Sequence, residues 1–194
     1  MNHDWWVPVV QWTVWGIAMT VFMGWVAKSR LGKRPDSERY TLRHPTSTLV
    51  LGVVVSVFFF GIAIISNTVG KNPTSTVWTT VLFIAFGVAG LPMIADFFFA
   101  RHGVSDSGIA YGNMIGQRGN LPWSEVQSVR FSPAAKWFVL EGASGEKVRV
   151  SALLLGLPEF AHLVLVHVPT EAIEPDTIAV LQATAEGQPP SIWE

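Results

Sequence analysis

The sequence contains no cysteine and little charge. The absence of cysteine from a chain of 194 residues excludes a disulfide scaffold, a thiol nucleophile and any metal site built on thiolates. Charged residues make up 14% of the chain, whereas globular domains carry about 25%. The net charge of −1 offers no basic surface of the kind that binds nucleic acid. Hydrophobic residues make up 49% and the mean hydropathy is +0.37, a composition that excludes a disordered chain.

The apolar residues are concentrated in three runs that contain no charged residue, at 9–27, 48–66 and 77–95. A helix crosses the hydrocarbon core of a membrane in about 20 residues. We therefore predict three transmembrane helices, at about 9–27, 48–66 and 77–97. A chain of this length has no core large enough to bury three such helices. The first run follows an acidic flank and lacks the basic residues of a signal peptide.

Lysine and arginine are distributed unevenly between the predicted spans, and this predicts their orientation. Residues 1–8 contain none, and 67–76 contain one. Six lie in 28–47: Lys28, Arg30, Lys33, Arg34, Arg39 and Arg43. The positive-inside rule then places the N-terminus outside and the chain after residue 100 in the cytoplasm. These six residues either only set the topology or also contact the headgroups of anionic membrane lipids.

Two features inside the predicted spans are candidates for function. Asp96 is an ionisable residue close after Pro92, and no charged partner exists in the first two spans. We therefore expect its carboxylate to lie at the interface beside Arg101 rather than in a proton relay. Small residues recur every four positions in the first span, at Gly16, Thr20 and Gly24. They are candidates for helix–helix contacts, within this chain or between chains.

After residue 100 the pattern changes to short strands and turns, which predicts a small α+β domain over 101–170 behind a membrane domain over 1–100. We predict a strand broken by a turn over 103–111, a turn at 116–120 and a hairpin over 137–151. A helix follows over 157–168 and ends at a proline. The tail, 171–194, is rich in acids and has no Lys or Arg. We expect this tail to be unstructured, with a short helix as the alternative.

Several stretches of this half resemble bacterial pleckstrin-homology-like (PH-like) domains and, more loosely, the C-terminal cytoplasmic domain of YcxB-like membrane proteins. The stretches are Leu121-Pro122-Trp123-Ser124-Glu125-Val126, Gly145-Glu146-Lys147-Val148-Arg149-Val150-Ser151 and Gly156-Leu157-Pro158-Glu159-Phe160. The resemblance implies an antiparallel sheet or partial barrel capped by a C-terminal helix, in a protein of the bacterial inner membrane. It also implies that Trp123 packs in the core. PH domains that bind phosphoinositides concentrate basic residues around the first hairpin, where this chain has only Arg118. Without a basic cluster we expect no headgroup pocket in the domain.

The sequence contains no recognisable catalytic or metal-binding motif. His162 and His167 are five residues apart and face different sides of the predicted helix. There is no Gly-rich phosphate loop, HExxH or GxSxG. We therefore expect no enzymatic activity, no cofactor and no metal.

The predicted function is that of a membrane-anchored adaptor or scaffold. It would present the PH-like domain at the cytoplasmic face to a protein partner or to a second copy of itself. One alternative is an accessory or regulatory subunit of a membrane transport or envelope-assembly complex. Another is the sensing of anionic lipid through the basic segment 28–47.

Overall fold

Three long helices form the first half of the chain. In the computed structural model, which describes residues 6–29, 40–68, 76–113 and 115–191, α1 spans Trp6–Ser29, α2 spans Thr46–Thr68 and α3 spans Val77–Phe99. Each helix is long and apolar enough to cross a membrane. Their positions agree with the three predicted spans, and no helix end lies more than three residues from the predicted one.

Helices α2 and α3 pack closely in antiparallel fashion through small residues. A Cβ added to Gly90 would lie 2.5 Å from the Ser56 Oγ and 2.7 Å from the Gly52 carbonyl oxygen. The Ser56 hydroxyl donates a hydrogen bond of 3.0 Å to the Gly87 carbonyl across the same contact.

In contrast, no described residue of α1 is buried. Its C-terminal end touches α2 through a hydrogen bond of 2.6 Å between the hydroxyls of Ser29 and Ser47.

The second half forms two antiparallel sheets and two α-helices, and the first sheet also includes one short strand from the segment between α1 and α2. The first sheet has the order β1 (Thr41–Leu42), β2 (His102–Ser105), β3 (Gly108–Gly112) and β4 (Arg118–Pro122). The second sheet has the order β5 (Val126–Ser132), β6 (Trp137–Gly142) and β7 (Lys147–Ser151). The helices are α4 (Leu157–His167) and α5 (Pro175–Ala185). A small antiparallel-sheet domain with C-terminal helices therefore follows the three apolar helices.

The strand and turn predictions agree with the structure except at one turn. The broken strand over 103–111 is the β2–β3 hairpin, and the hairpin over 137–151 is β6–β7. The turn predicted for 116–120 is wrong from Arg118 onward, because β4 pairs with β3 along its whole length. Sheet pairing overrides the turn preference of Gly119 and Asn120. Gly119 fits this strand because the Tyr111 ring lies where its Cβ would be.

The first strand of the sheet comes from the segment between α1 and α2. Thr41 and Leu42 pair with Gly103 and His102, and the Leu42 side chain is completely buried in the domain core. The Leu155 amide also donates a hydrogen bond of 2.8 Å to the carbonyl of Arg43. The predicted domain boundary at residue 101 leaves this strand out.

The expected unstructured tail is wrong over 175–185, because α5 packs against α4 and β5. Leu181 is fully buried in the same core as the sheet residues. Just before α5, the Glu174 amide donates a hydrogen bond of 2.9 Å to the Val129 carbonyl. The Phe131 amide donates one of 2.8 Å to the Thr177 hydroxyl. The C-terminal segment therefore completes the domain.

Candidate binding cleft at the junction of helices and sheets

A cavity of about 750 Å³ lies where α2 and α3 meet the two sheets. We call it the junction cleft. Its walls come from the first turn of α2, the C-terminal part of α3, the turn between β3 and β4, and strand β7 with the residues after it. Its ionisable lining residues include His44, Asp96, His102, Arg118, Lys147 and Arg149.

Three basic side chains meet at the cleft, although the sequence indicated no basic cluster in the domain. Arg118 starts β4, and Lys147 and Arg149 lie on β7. The Arg149 guanidinium carbon lies 5.5 Å from the centre of the Trp137 ring, a distance typical of a cation–π contact. The Lys147 ammonium lies 2.8 Å from a carboxylate oxygen of Glu141. Their hydrogen bond lowers the pKa of Glu141.

Two histidines occupy the inner end of the cleft. His102 is only 7% exposed, and burial, with a smaller contribution from His44, lowers its pKa to about 4. Burial also lowers the pKa of His44, while the Asp96 carboxylate opposes this shift. Both imidazoles are therefore neutral at neutral pH. Neither Nδ1 atom has a hydrogen-bond partner among the described residues, and both atoms are inaccessible, so they are not placed to bind a ligand in the cleft.

Strand β7 is an edge of its sheet and borders the cleft. At its two ends, the Gly142 amide donates to the Glu146 carbonyl (2.9 Å) and the Ala152 amide donates to the Lys136 carbonyl (2.8 Å). Alternate residues of an antiparallel strand bond to the same neighbour. The even-numbered residues of β7 therefore face β6, and the amides and carbonyls of Lys147 and Arg149 point to the outer edge.

The opposite edge of the same sheet is covered. The C-terminal segment runs beside β5, where Ile173 forms a parallel bridge with Val129. Together with the hydrogen bonds from Glu174 and to Thr177 described above, this contact satisfies backbone groups of β5. Within the described ranges no strand pairs in the same way with β7.

The residues proposed for lipid-headgroup contacts are only partly placed. Lys28 is exposed in the last turn of α1, and Arg43 is exposed beside β1. Arg30, Lys33, Arg34 and Arg39 lie outside the described residues. Lipid contact by these six residues stays a prediction.

The small-residue stripe of α1 makes no helix–helix contact within the described chain. A Cβ added to Gly16 or Gly24 would have no heavy atom within 4 Å. The Thr20 hydroxyl donates to the Gly16 carbonyl of its own helix, at 2.8 Å. A role for this stripe in contacts between chains stays a prediction.

The sequence makes expectations about two single residues, Trp123 and Asp96, and the expected interfacial position of Asp96 beside Arg101 stays a prediction. Trp123 is buried as predicted, and its indole Nε1 donates a hydrogen bond of 2.8 Å to the Ser105 carbonyl. Asp96 lines the junction cleft and acts electrostatically on His44. The sequence did not indicate this pairing, because α2 and most of α3 lie between the two residues in the chain.

Residues 100–165 match the family model described as "Bacterial PH domain". The match covers about a third of the chain, from the end of α3 into α4. The chain therefore carries a PH-like domain, and the resemblance found in its sequence is confirmed for this segment. The looser similarity to YcxB-like proteins stays a prediction. No curated protein and no solved structure matches the chain significantly.

Proposed function

We propose that this protein is a non-catalytic adaptor of the bacterial inner membrane. Its three apolar helices cross the membrane with the N-terminus outside, and its PH-like domain holds a protein partner at the cytoplasmic face. The observation that carries this proposal is the outer edge of β7. It borders a cleft of about 750 Å³, while the β5 edge of the same sheet is covered by the chain itself.

The close connection between helices and domain supports the same function. Strand β1 lies directly before α2, and β2 begins three residues after the end of α3. A Cβ added to Gly112 in β3 would lie 3.0 Å from the Phe99 carbonyl oxygen. A protein bound in the junction cleft would therefore lie against the ends of α2 and α3, at the membrane surface.

Site-specific photo-crosslinking in intact cells tests this function. A benzoylphenylalanine residue replaces Trp137, which is 38% exposed and lines the cleft. In the control it replaces His162, which is exposed on α4. We expect a discrete protein adduct from position 137 only, and the captured protein should bind the purified full-length chain. No adduct at 137, or the same adducts from both positions, would refute the adaptor function.

A second candidate, an accessory subunit of a membrane complex, is favoured by the exposed stripe on α1. Gly16 and Gly24 have open space beside them in this chain, as a surface for a helix of another protein would require. Replacing both with leucine should then abolish co-purification of the partner while substitutions in the cleft have no effect. The opposite pattern favours the adaptor.

A further inference from the structure

We infer that the junction cleft binds an extended, acidic segment of a partner protein, which pairs with β7 as an additional strand. This inference rests on the proposed adaptor function and specifies the chemistry of its partner. It depends on two independent features of the cleft, the backbone of β7 and the charge of the side chains around it.

The backbone of β7 provides hydrogen-bonding groups for an added strand. The register with β6 turns the amides and carbonyls of Lys147 and Arg149 toward the outer edge. These two residues also line the cleft, so the space beside the edge is available to a ligand. Addition of a peptide strand to an exposed sheet edge is a recurrent mode of peptide recognition.

The side chains around the cleft favour acidic residues in the added strand. Arg118, Lys147 and Arg149 are opposed by one acidic lining residue, Asp96. Lys147 already has a partner in Glu141, so Arg118 and Arg149 contribute most of the attraction. Lys147 and Arg149 are two positions apart and share a face of the sheet. Glutamates at alternate positions of the added strand would therefore lie beside them.

The same charges disfavour a second copy of this chain as the occupant. Antiparallel pairing of two β7 strands centred on Arg149 would place the two copies of this side chain directly opposite each other. Like charges in that arrangement destabilise a sheet. Basic residues on an edge strand are a common protection against such pairing.

Peptide binding to the full-length protein in nanodiscs of zwitterionic lipid tests the inference. The probe is a short fluorescent peptide that alternates glutamate and valine, and its control carries lysine in place of glutamate. We expect fluorescence anisotropy to show binding of the acidic peptide and binding about 10-fold weaker for the basic one. Equal binding of both peptides, or no binding of the acidic peptide, would overturn the inference. Displacement of the acidic peptide by soluble glycerol 3-phosphate in the zwitterionic nanodiscs would identify a lipid headgroup as the occupant and overturn it as well.

Two substitutions at Arg149 distinguish strand addition from simple charge attraction. Arg149→Pro removes an outward amide without removing a hydrogen bond to β6. Arg149→Ala removes the charge and keeps the amide. We expect Arg149→Pro to weaken acidic-peptide binding about 10-fold more than Arg149→Ala. Equal affinities of the two variants would refute strand addition.

Peptides methylated on backbone nitrogens give the same test in the unaltered protein. Methylation at alternate residues should abolish binding in one register and leave it intact in the other, because only alternate amides face β7. Equal effects in both registers would contradict strand addition even if Arg149→Pro failed to fold.

The cross-linking result from position 137 is independent of these peptides, so the adaptor function is judged separately from the nature of its ligand.

Discussion

At the scale of single residues, we expect His44 and His102 to make the junction between helices and domain sensitive to acid. Burial lowers the pKa of both imidazoles, to about 4 for His102. The nearby Asp96 carboxylate reduces this shift only at His44. The folded protein therefore holds both histidines neutral under conditions in which an unfolded chain would already bind protons.

Acidification is expected to destabilise the junction. The pKa of His102 is about 4 in the folded protein against 6.5 as the reference value. Between these two values the unfolded chain binds a proton at this histidine and the folded protein does not. The free energy of unfolding is therefore unaffected by His102 above about pH 6.5 and decreases as the pH falls toward 4. The loss from this residue at pH 5 is about 2 kcal/mol. Thermal unfolding in nanodiscs at pH 7 and pH 5 measures it, and the variant His102→Gln should show a smaller decrease. An equal decrease in both proteins would contradict this assignment.

Thr177 tests how the covered edge of β5 is stabilised. Its hydroxyl accepts the hydrogen bond from the Phe131 amide and is almost completely buried. Thr177→Val leaves that amide without its partner, so we expect a loss of about 1–3 kcal/mol in the free energy of unfolding. Thr177→Ser keeps the hydroxyl and should lose clearly less. Chemical denaturation of the two variants would contradict the role of this bond if both lost the same amount.

At the scale of elements, the three apolar helices differ in how they pack. The α2–α3 contact depends on a close approach of backbones at Gly52 and Gly90. Helix α1 exposes its small residues instead. The α2–α3 pair therefore behaves as one unit joined to the domain, whereas α1 presents a surface to its surroundings.

Gly90→Ala and Gly16→Ala form a matched pair that tests this difference. The new Cβ at position 90 would lie within 2.5–2.7 Å of Ser56 and Gly52 atoms. It should separate α2 from α3 at a cost of about 1–3 kcal/mol. The Cβ at position 16 meets no heavy atom within 4 Å, so that variant should be no less stable than the original protein. Unfolding temperatures measured in nanodiscs would contradict this packing if the two variants were equally affected.

Elements with a strong local signal could be predicted from the sequence, and those that depend on distant contacts could not. The long helices follow from apolar runs, and the β6–β7 hairpin follows from Val148 and Val150 alternating with charged residues. Strand β1 has only two residues and depends on pairing with β2. Helix α5 is short, lies in a segment rich in acids, and is held by its contacts with α4 and β5, such as those of Leu181. The cleft was not predictable, because Arg118 and Arg149 meet only once the two sheets are assembled.

At the scale of the whole molecule, the PH-like domain is discontinuous in sequence. Its matched segment ends at residue 165, but its core also includes Leu42, from before α2, and Leu181, from α5. The α2–α3 hairpin is therefore inserted between the first two strands of the domain. Helices and domain are joined twice, through β1 and through the connection from α3 to β2.

Leu42→Ala tests this organisation. The side chain is fully buried, so its removal should destabilise the domain by about 2–5 kcal/mol, as for a core residue within the matched segment. Ile115→Ala is the control, because Ile115 is 72% exposed. Amide hydrogen exchange of β5 and β6 in the full-length protein should increase in the first variant and not in the second. Equal exchange in both variants would show that β1 is not part of the domain.

The position of β1 also determines when the domain can fold during synthesis. Leu42 leaves the ribosome sixty residues before its pairing partner His102, a delay of about 3–12 s at ordinary rates of synthesis. Under the proposed topology, α2 must cross the membrane and α3 must return before the two strands are on the same side. A chain whose third helix fails to insert keeps β1 and β2 on opposite sides and cannot close its domain. Under the proposed topology and function, only correctly inserted molecules would complete the PH-like domain and bind the partner.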